Sequence, residues 1–301
     1  MLSIFYVNYN STDVLLKSIE SVRQNNGHYP NKICVWDNHS KDSVENINEL
    51  YPDIRIYKSA TNIGYGSAIN QLLKKTSSKY IVLLNPDTKV VNKNFIEEAV
   101  NFLKDHPEVG ILGPKILNAD NTVQGSARKF PTPLTSLFGR NTLLTKLFPK
   151  NPISAKNICT IQNPCVEPFE VDWVSGACMV IRRAALDSAG NFDEKFFMYW
   201  EDADFCRRVW NAGWKVMYYP KIEIYHFVGK SSNFAPYRSI YHFHRSCYYL
   251  CEKNMAWPLS LLLPLPFLGL AARCVMALLF FSVKTRFRNK KQRTRASGKA
   301  Y

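Results

Sequence analysis

Five apolar residues, Tyr80-Ile81-Val82-Leu83-Leu84, run directly into Asn85-Pro86-Asp87. An unbroken apolar run of this length reads as a strand buried on both faces of a parallel sheet. Open α/β sheets bind ligands at the carboxyl ends of their strands, so Asp87 stands where a carboxylate would meet a ligand or a metal holding one. A turn aspartate after proline is the plainer alternative. Other polar residues fall at equivalent places. Asn8 and Tyr9 follow the β-rich run Leu2–Val7, Asp37 follows Lys32–Trp36, and Asn62, Gly64, Gly66 and Asn70 follow Ile54–Tyr57. In a parallel sheet these ends converge on one crevice. An aromatic ring to stack a base, a carboxylate to accept a base N–H, glycines for close backbone approach and a carboxylate for a metal suit a nucleoside diphosphate. The usual nicotinamide loop is excluded: no G-x-G-x-x-G follows the first strand, and Gly64-Tyr-Gly66 lacks the third glycine. A G-x-x-x-x-G-K-[ST] loop is also absent.

The elements that would position these residues alternate. Val14, Leu15, Ile19 and Val22 share a helical face after Ser11 or Thr12, either of which suits an N-cap. Val44, Ile47 and Leu50 mark a second helix, and Ile69, Leu72 and Leu73 a third. Asn92 stands as the cap of a fourth, with Phe95, Ile96, Ala99, Val100 and Leu103 on its face, before a strand over Val109–Leu112. Strand and helix alternating with short links over residues 1–113 is the pattern of a mostly parallel, doubly wound α/β sheet. The rhythm changes over 114–250. Residues 130–168 carry six prolines without a clean period and read as a long loop of the kind that serves as a lid. Strands are expected at 171–173, 177–181, 215–219 and 222–227, the last passing His226. Glu201-Asp202-Ala203-Asp204 starts a helix with Phe205, Val209 and Trp210 on one side.

After a helix over 237–253, residues 257–283 hold one charge, Arg273. A helix of that length could cross a hydrocarbon core of about 30 Å, but Pro258, Pro264 and Pro266 interrupt its first half. A crossing, a kinked hairpin and a helix lying in the membrane plane all fit 251–283. A buried terminal helix is the plainer alternative. The chain has 39 basic and 24 acidic residues, a net +15. Eight of those basic residues, and no acid, lie in 284–301, so the rest carries only about +7. This charge balance disfavours a nucleic-acid face spread over the domain and favours a local anionic partner such as an anionic membrane surface. Eight scattered cysteines without C-x-x-C fit a reducing cytosol. Cys247 and Cys251 share a helix face but have no matching pair for zinc.

Taken in order, Val7-Asn-Tyr-Asn-Ser11, Trp36-Asp-Asn-His-Ser-Lys-Asp42, Asn62-Ile-Gly-Tyr-Gly-Ser-Ala-Ile-Asn70, Leu84-Asn-Pro-Asp87 and Trp200-Glu-Asp-Ala-Asp204 resemble the successive motifs of family 2 glycosyltransferases, bacterial rhamnosyltransferases in particular. The resemblance spans roughly residues 1–250. It implies a glycosyltransferase A fold, a nucleotide-sugar donor, a divalent metal (Mg2+ or Mn2+) and inversion at the anomeric carbon. By position it implies a donor site of Asn8, Tyr9, Asp37, Asn62, Gly64, Asn70, Asn85 and Asp87, with Tyr9 and Asp37 at the base. Asp87 stands at the last position of the family's D-x-D metal motif, and His226 at its additional metal-ligating histidine. Asn85 departs from that motif, where the first aspartate would be. Asp202 matches the catalytic base, with Glu201 the alternative. A plain set of helix N-terminal acids would look the same and would carry lowered pKa values, which weakens a base.

The reading that follows is an inverting hexosyl- or deoxyhexosyltransferase at the cytoplasmic face of a bacterial inner membrane. It would move rhamnose from dTDP-rhamnose, or another sugar from a UDP- or dTDP-donor, onto a lipid-linked saccharide in cell-surface polysaccharide (lipopolysaccharide) synthesis. A non-catalytic membrane-associated nucleotide-sugar-binding scaffold is the rival, supported by Asn85. A nucleotidyltransferase is a weaker third. Arg128 and Lys129 are within reach of a diphosphate or else a solvated pair. Trp173 and Trp200 stack a sugar or else fill the core.

Overall fold

The computed structural model describes residues 1–25, 27–132, 157–162, 166–227, 236–255 and 264–297. Most of the proline-rich stretch 130–168, Cys165 and Pro258 lie outside the described residues. The chain divides into two compact units, Met1–Phe234 and Ala235–Tyr301.

The first unit opens with the expected alternation: β1 (Leu2–Asn8), α1 (Thr12–Asn25), β2 (Asn31–Asp37), α2 (Glu45–Leu50), β3 (Arg55–Lys58), α3 (Tyr65–Leu73) and β4 (Tyr80–Leu84). All residues of β1 and β4 are buried, as unbroken apolar runs require. Helix α1 buries Leu15, Ile19 and Val22. There follow β5 (Thr88–Val90), α4 (Phe95–Asp105), β6 (Val109–Leu117), β7 (Ala127–Arg128), α5 (Cys159–Gln162), β8 (Phe169–Glu170), β9 (Trp173–Val174), β10 (Cys178–Arg182), α6 (Arg183–Ala189), α7 (Glu201–Asn211) and β11 (Lys215–His226).

The main sheet runs β3-β2-β1-β4-β10-β6-β11-β5, with β8 beside β11. β3, β2, β1 and β4 are parallel, and β11 is parallel to β6. The sheet as a whole is mixed, which corrects the mostly parallel expectation. β10 runs against both β4 and β6, and β5 and β8 run against β11. The reason lies at the end of β4. Asn85 N donates to Ala177 O (3.0 Å), so the chain enters β10 where β4 leaves and must run back along it. Antiparallel neighbours need no crossover helix. Because β10 opposes both β4 and β6, the carboxyl ends of β1, β2, β4, β6 and β11 share one edge with the start of β10.

Two further departures are local. The strands expected at 215–219 and 222–227 are one strand with a register shift between Tyr219 and Glu223. Pro220 lies within the shift, and proline cannot donate to a ladder. Asn92 does not cap α4. Its amide instead holds the bulged strand, donating to Lys221 O (3.3 Å) and accepting from Glu223 N (2.7 Å). The α4 N-cap is Asn94 in the left-handed region, without a side-chain cap. β5 is tied down by buried hydroxyls: Ser18 Oγ meets Tyr6 OH (3.0 Å) and Thr88 Oγ1 (3.1 Å), and Ser21 Oγ accepts from Val90 N (3.0 Å).

The second unit comprises α8 (Pro236–Asn254) and α9 (Pro264–Ser297). Of the prolines expected to break the apolar segment, Pro264 and Pro266 open α9 instead, in the first turn, where missing N–H groups cost nothing. Tyr237 meets Phe281 edge-on (5.1 Å between centroids), and Arg273 lies over Phe243 (5.9 Å). Among the described residues no helix is long and apolar enough to cross a membrane. The expected apolar helix is therefore not a crossing one over its described length.

Arg182 fixes the far end of β10. Its buried guanidinium donates to Val109 O (2.8 Å) and His106 O (3.0 Å), and also to Leu103 O, closing the end of α4. Arg182→Met leaves those carbonyls without donors and should lower unfolding free energy by about 2–4 kcal/mol. Urea unfolding reads this as a reduced midpoint at an unchanged m value.

Candidate active site

At the edge where β1 and β2 end, Asn8 pairs in register with Asp37. Asn8 is fully buried. Its amide nitrogen lies 3.1 Å from Asp37 Oδ1, Thr12 Oγ1 and Ser40 Oγ, and its oxygen accepts from Ser11 Oγ (3.0 Å). Asn8 therefore orients Asp37. A cavity of about 310 Å³ opens beside it, lined by Asp37, Ser40, Asp42, Lys58 and Ser59 among others. Tyr9 follows on the same edge, half-buried. Ser11 spends its hydroxyl on Asn8, so its carbonyl rather than its side chain serves the start of α1.

At the end of β4 the chain turns through Asn85 and Asp87 into β5, which pairs with the end of β11. This brings His226 Nε2 to 3.3 Å from Asp87 Oδ1, both side chains largely buried. Phe227 N donates to Asp87 O (2.9 Å). Gln124 grips the histidine: its Nε2 donates to His226 O (2.8 Å), which turns its Oε1 toward Nδ1 (3.1 Å). With Nδ1–H donating to that oxygen, the neutral ring presents the Nε2 lone pair toward a carboxylate. Two acceptors facing one another call for a proton or a cation between them. A carboxylate oxygen and an imidazole held by its other nitrogen form a donor set that suits a divalent ion. Among the described residues no third His, Cys, Asp or Glu joins them, so the remaining ligands would be diphosphate oxygens and water. Asn85 adds structure here: its N–H goes to Ala177 O, and its carbonyl accepts from Thr88 Oγ1 (2.7 Å).

The third part is the start of α7. Asp202 Oδ2 accepts from Gly176 N (2.9 Å), and its Oδ1 accepts from Ala203 N (2.8 Å). Residues 175–177 lie against Asn85 at the same edge, so Asp202 and Asp87 share that rim. Burial raises the Asp202 carboxyl above its ordinary range, against the lowering pull of those N–H groups and of Arg128. Burial, followed by the charge of Asp202, pushes Glu201 up to about 8. Lowered values expected of helix N-terminal acids are thus replaced by raised ones, because the desolvation penalty outweighs the helix terminus. Glu201 Oε2 is buried without a hydrogen-bond partner. Within the pair, Asp202 has two N–H donors that favour its charged form. The plain helix-terminal role falls to Asp204, buried and paired with Arg208 (2.9 Å). Tyr199 and Trp200, just upstream, both have left-handed backbones (φ 68° and 69°), costly for aromatic residues and typical of functional sites.

The Asn62–Asn70 motif packs against protein. A Cβ on Gly64 (φ +88°) would sit 2.5 Å from Phe197 O, and one on Gly66 3.3 Å from Phe192 Cβ. Asn62 Oδ1 accepts from Asn38 Nδ2 (2.8 Å). Asn70 is buried and exchanges two hydrogen bonds with the Phe192 backbone (2.9 and 3.0 Å). Lys129 is paired with Asp172 (3.0 Å) and remains exposed to solvent. Arg128 lies over the Trp173 ring (5.3 Å). Trp173 is buried, donates to Lys129 O (3.0 Å) and sits 6.1 Å from the Trp200 ring, so its role is packing. Sequence patterns do not mark Gln124, Tyr65 or Gly176 for these contacts. Tyr65 lies between the two glycines of a motif read for those glycines alone, and nothing local marks Gln124 as the partner of His226.

The family profile described as "Glycosyl transferase family 2" matches residues 3–190. The chain is 29% identical over 243 residues to N-acetylglucosaminyl-diphospho-decaprenol L-rhamnosyltransferase of Mycobacterium tuberculosis, covering 76% of this chain and 77% of that one. It is 25% identical to rhamnosyltransferase WbbL of Escherichia coli, covering 75% and 83%. Its fold is similar to that of the mannosyltransferase PcManGT from Pyrobaculum calidifontis, solved with GDP-Man and Mn2+ (TM-score 0.55, 16% identity, 92% of this chain and 71% of that one). At that identity the likeness concerns the fold.

A carboxyl raised from about 4.3 in the unfolded chain to about 8 in the folded one keeps its proton longer when folded. Stability from this group is full at low pH and is lost as pH rises through the folded value. Glu201→Gln should therefore flatten the fall of Tm between pH 5 and pH 8 by a few degrees relative to wild type, as read by calorimetry.

Proposed function

The chain belongs to glycosyl transferase family 2 and is a glycosyltransferase; on that premise we propose that it transfers rhamnose from dTDP-rhamnose to a lipid-linked saccharide at a membrane, with inversion. The observation that carries the reading is Asp202, clipped by Gly176 N and raised by burial, on the same edge as Asp87 and His226. The rhamnosyltransferase activities for which the Mycobacterium tuberculosis and Escherichia coli relatives are named support the sugar, and the first of them supports a diphospho-lipid acceptor.

The residues divide the work as follows. Tyr9 and Asp37 take the base, with Asn8 holding Asp37 in place. Asn85 and Asp87 face the diphosphate. Asp87 and His226 would hold a divalent ion, Mg2+ or Mn2+, which would supply neutralisation of the charge that gathers on the leaving diphosphate. Asp202 accepts the proton of the acceptor hydroxyl. That oxygen bonds to the anomeric carbon from the side opposite the diphosphate, whose C–O bond breaks, and the carbon inverts. A carboxylate with a raised proton affinity is a better base at neutral pH than an exposed one. A non-catalytic scaffold would have no need of a buried Glu201–Asp202 pair whose burial costs stability. That argument and the family membership favour the enzyme.

With dTDP-rhamnose, Mn2+ and an N-acetylglucosaminyl-diphospho-polyprenol acceptor, Asp202→Asn should lose roughly 10²–10⁴-fold in transfer. Its affinity for dTDP should stay within a few-fold of wild type. Near-normal turnover by this variant removes Asp202 from the role.

The acceptor lipid calls for a membrane contact, at the cytoplasmic face in this reading. Helix α9 leaves Leu268, Val275, Met276, Leu279 and Phe280 more than half exposed, at helical spacing along one side. A basic sequence follows, which suits a helix lying in the plane of an anionic bilayer. Leu279→Glu with Phe280→Glu in the full chain should abolish co-sedimentation with phosphatidylglycerol vesicles. Unchanged binding would remove this face from the reading.

A further inference from the structure

The Asn62–Asn70 motif stands out because its groups are spent on the chain itself. Asn38, next to the base-side Asp37, accepts from Ile63 N (3.0 Å) and donates to Asn62 Oδ1 (2.8 Å) and Gly64 O (3.2 Å). One step further, Tyr65 N donates to Phe197 O (2.9 Å). The absence of a Cβ on Gly64 is what lets Phe197 O approach. At the far end of α3, Asn70 Oδ1 accepts from Phe192 N (3.0 Å) while its Nδ2 reaches Phe192 O and Glu194 Oε1 (both 2.9 Å). Residues 192–197 are thereby gripped at both ends. Their continuation is the left-handed pair Tyr199–Trp200 and then Glu201–Asp202. The Tyr65 hydroxyl also donates to Gly176 O (3.3 Å), and Gly176 N holds Asp202 Oδ2 (2.9 Å).

We propose that Tyr65 and Asn70 are positioning residues: α3 is a strut that sets the 192–200 segment and Gly176, and through them the place of Asp202, and it does not bind the donor. Two independent contacts converge on the same carboxylate, one through the backbone leading into α7 and one through the Gly176 peptide. A strained aromatic pair persists only where its surroundings over-determine it, and this grip supplies that surrounding. The strut also begins beside Asp37, so the base side of the donor site and the catalytic carboxylate are built on one hydrogen-bonded frame.

The inference rests on Asp202 as the base, and the test separates the two. Tyr65→Phe keeps the ring and removes only the bond to Gly176. Asn70→Ala removes the grip on Phe192. Transfer kinetics, dTDP binding with Mn2+ by calorimetry and the pH profile of kcat are measured for both, with Asp202→Asn in parallel. A displaced catalytic group costs turnover up to about 10²-fold, so kcat should fall about tenfold or more in each variant while dTDP affinity stays within twofold. In Tyr65→Phe the acidic limb of kcat should move to higher pH, because the Gly176 N–H that lowers Asp202 is less firmly held. Weaker dTDP binding that accounts for the loss, or unchanged turnover in Tyr65→Phe, overturns the strut. Should Asn70→Ala fail to fold, Tyr65→Phe alone decides. Retained turnover in Asp202→Asn overturns the base instead, a different outcome from either of these.

Discussion

The site depends on one strand running the wrong way. If β10 were parallel to β4, its start would lie at the opposite edge of the sheet, and Ser175–Ala177 would be far from Asp87. Because it runs back along β4, the three residues before it meet the turn after β4, sealed by the bond from Asn85 N to Ala177 O. The backbone N–H of Gly176 then points at Asp202. An acid from the second half of the unit is thereby set beside the strand-end edge built by the first half. The same reversal returns β6 and β11 to the direction of β4, which carries His226 to the rim.

What the sequence made legible follows from which physics is local. Burial on both faces leaves an unbroken apolar run, so β1 and β4 could be read directly, and with them the placing of Asn8, Asp37 and Asp87 at carboxyl ends. The direction of β10 is set by what lies beyond its own residues, and Cys178–Arg182 looks the same run either way. Asn92 misled for a related reason. Its composition suits a cap, but a bulge at Pro220 left a strand N–H and a carbonyl in need of partners, and the asparagine went there. The glycines at 64 and 66 signalled close approach correctly; what approaches is Phe197 and Phe192, which no spacing rule could name.

The carboxylates show why position in a helix is not enough to judge an acid. Glu201, Asp202 and Asp204 occupy the first turn of one helix, and a rule based on the terminus alone treats them alike. Their surroundings differ. Asp204 has Arg208 at the next turn and serves as a structural charge. Asp202 has two backbone donors that favour its charged form but is desolvated, and burial outweighs them, so it is raised. Glu201 has burial and a neighbouring like charge, with no donor at Oε2, and is pushed up to about 8.

The thin metal end of the site yields to the same kind of argument. A lone carboxylate would hold a divalent ion poorly, and Asn85 removes the acid that might have helped. Gln124 compensates by orientation rather than charge. By contacting both Nδ1 and the backbone carbonyl of His226, it favours the ring orientation that turns Nε2 toward Asp87. An ion held by one carboxylate and one neutral imidazole keeps more of its positive charge than one held by two carboxylates. That surplus is of most use where negative charge develops, on the diphosphate as it departs. Asn85 in place of an acid is compatible with the proposed catalysis, since a weaker resting site would be offset by a stronger pull on the leaving group.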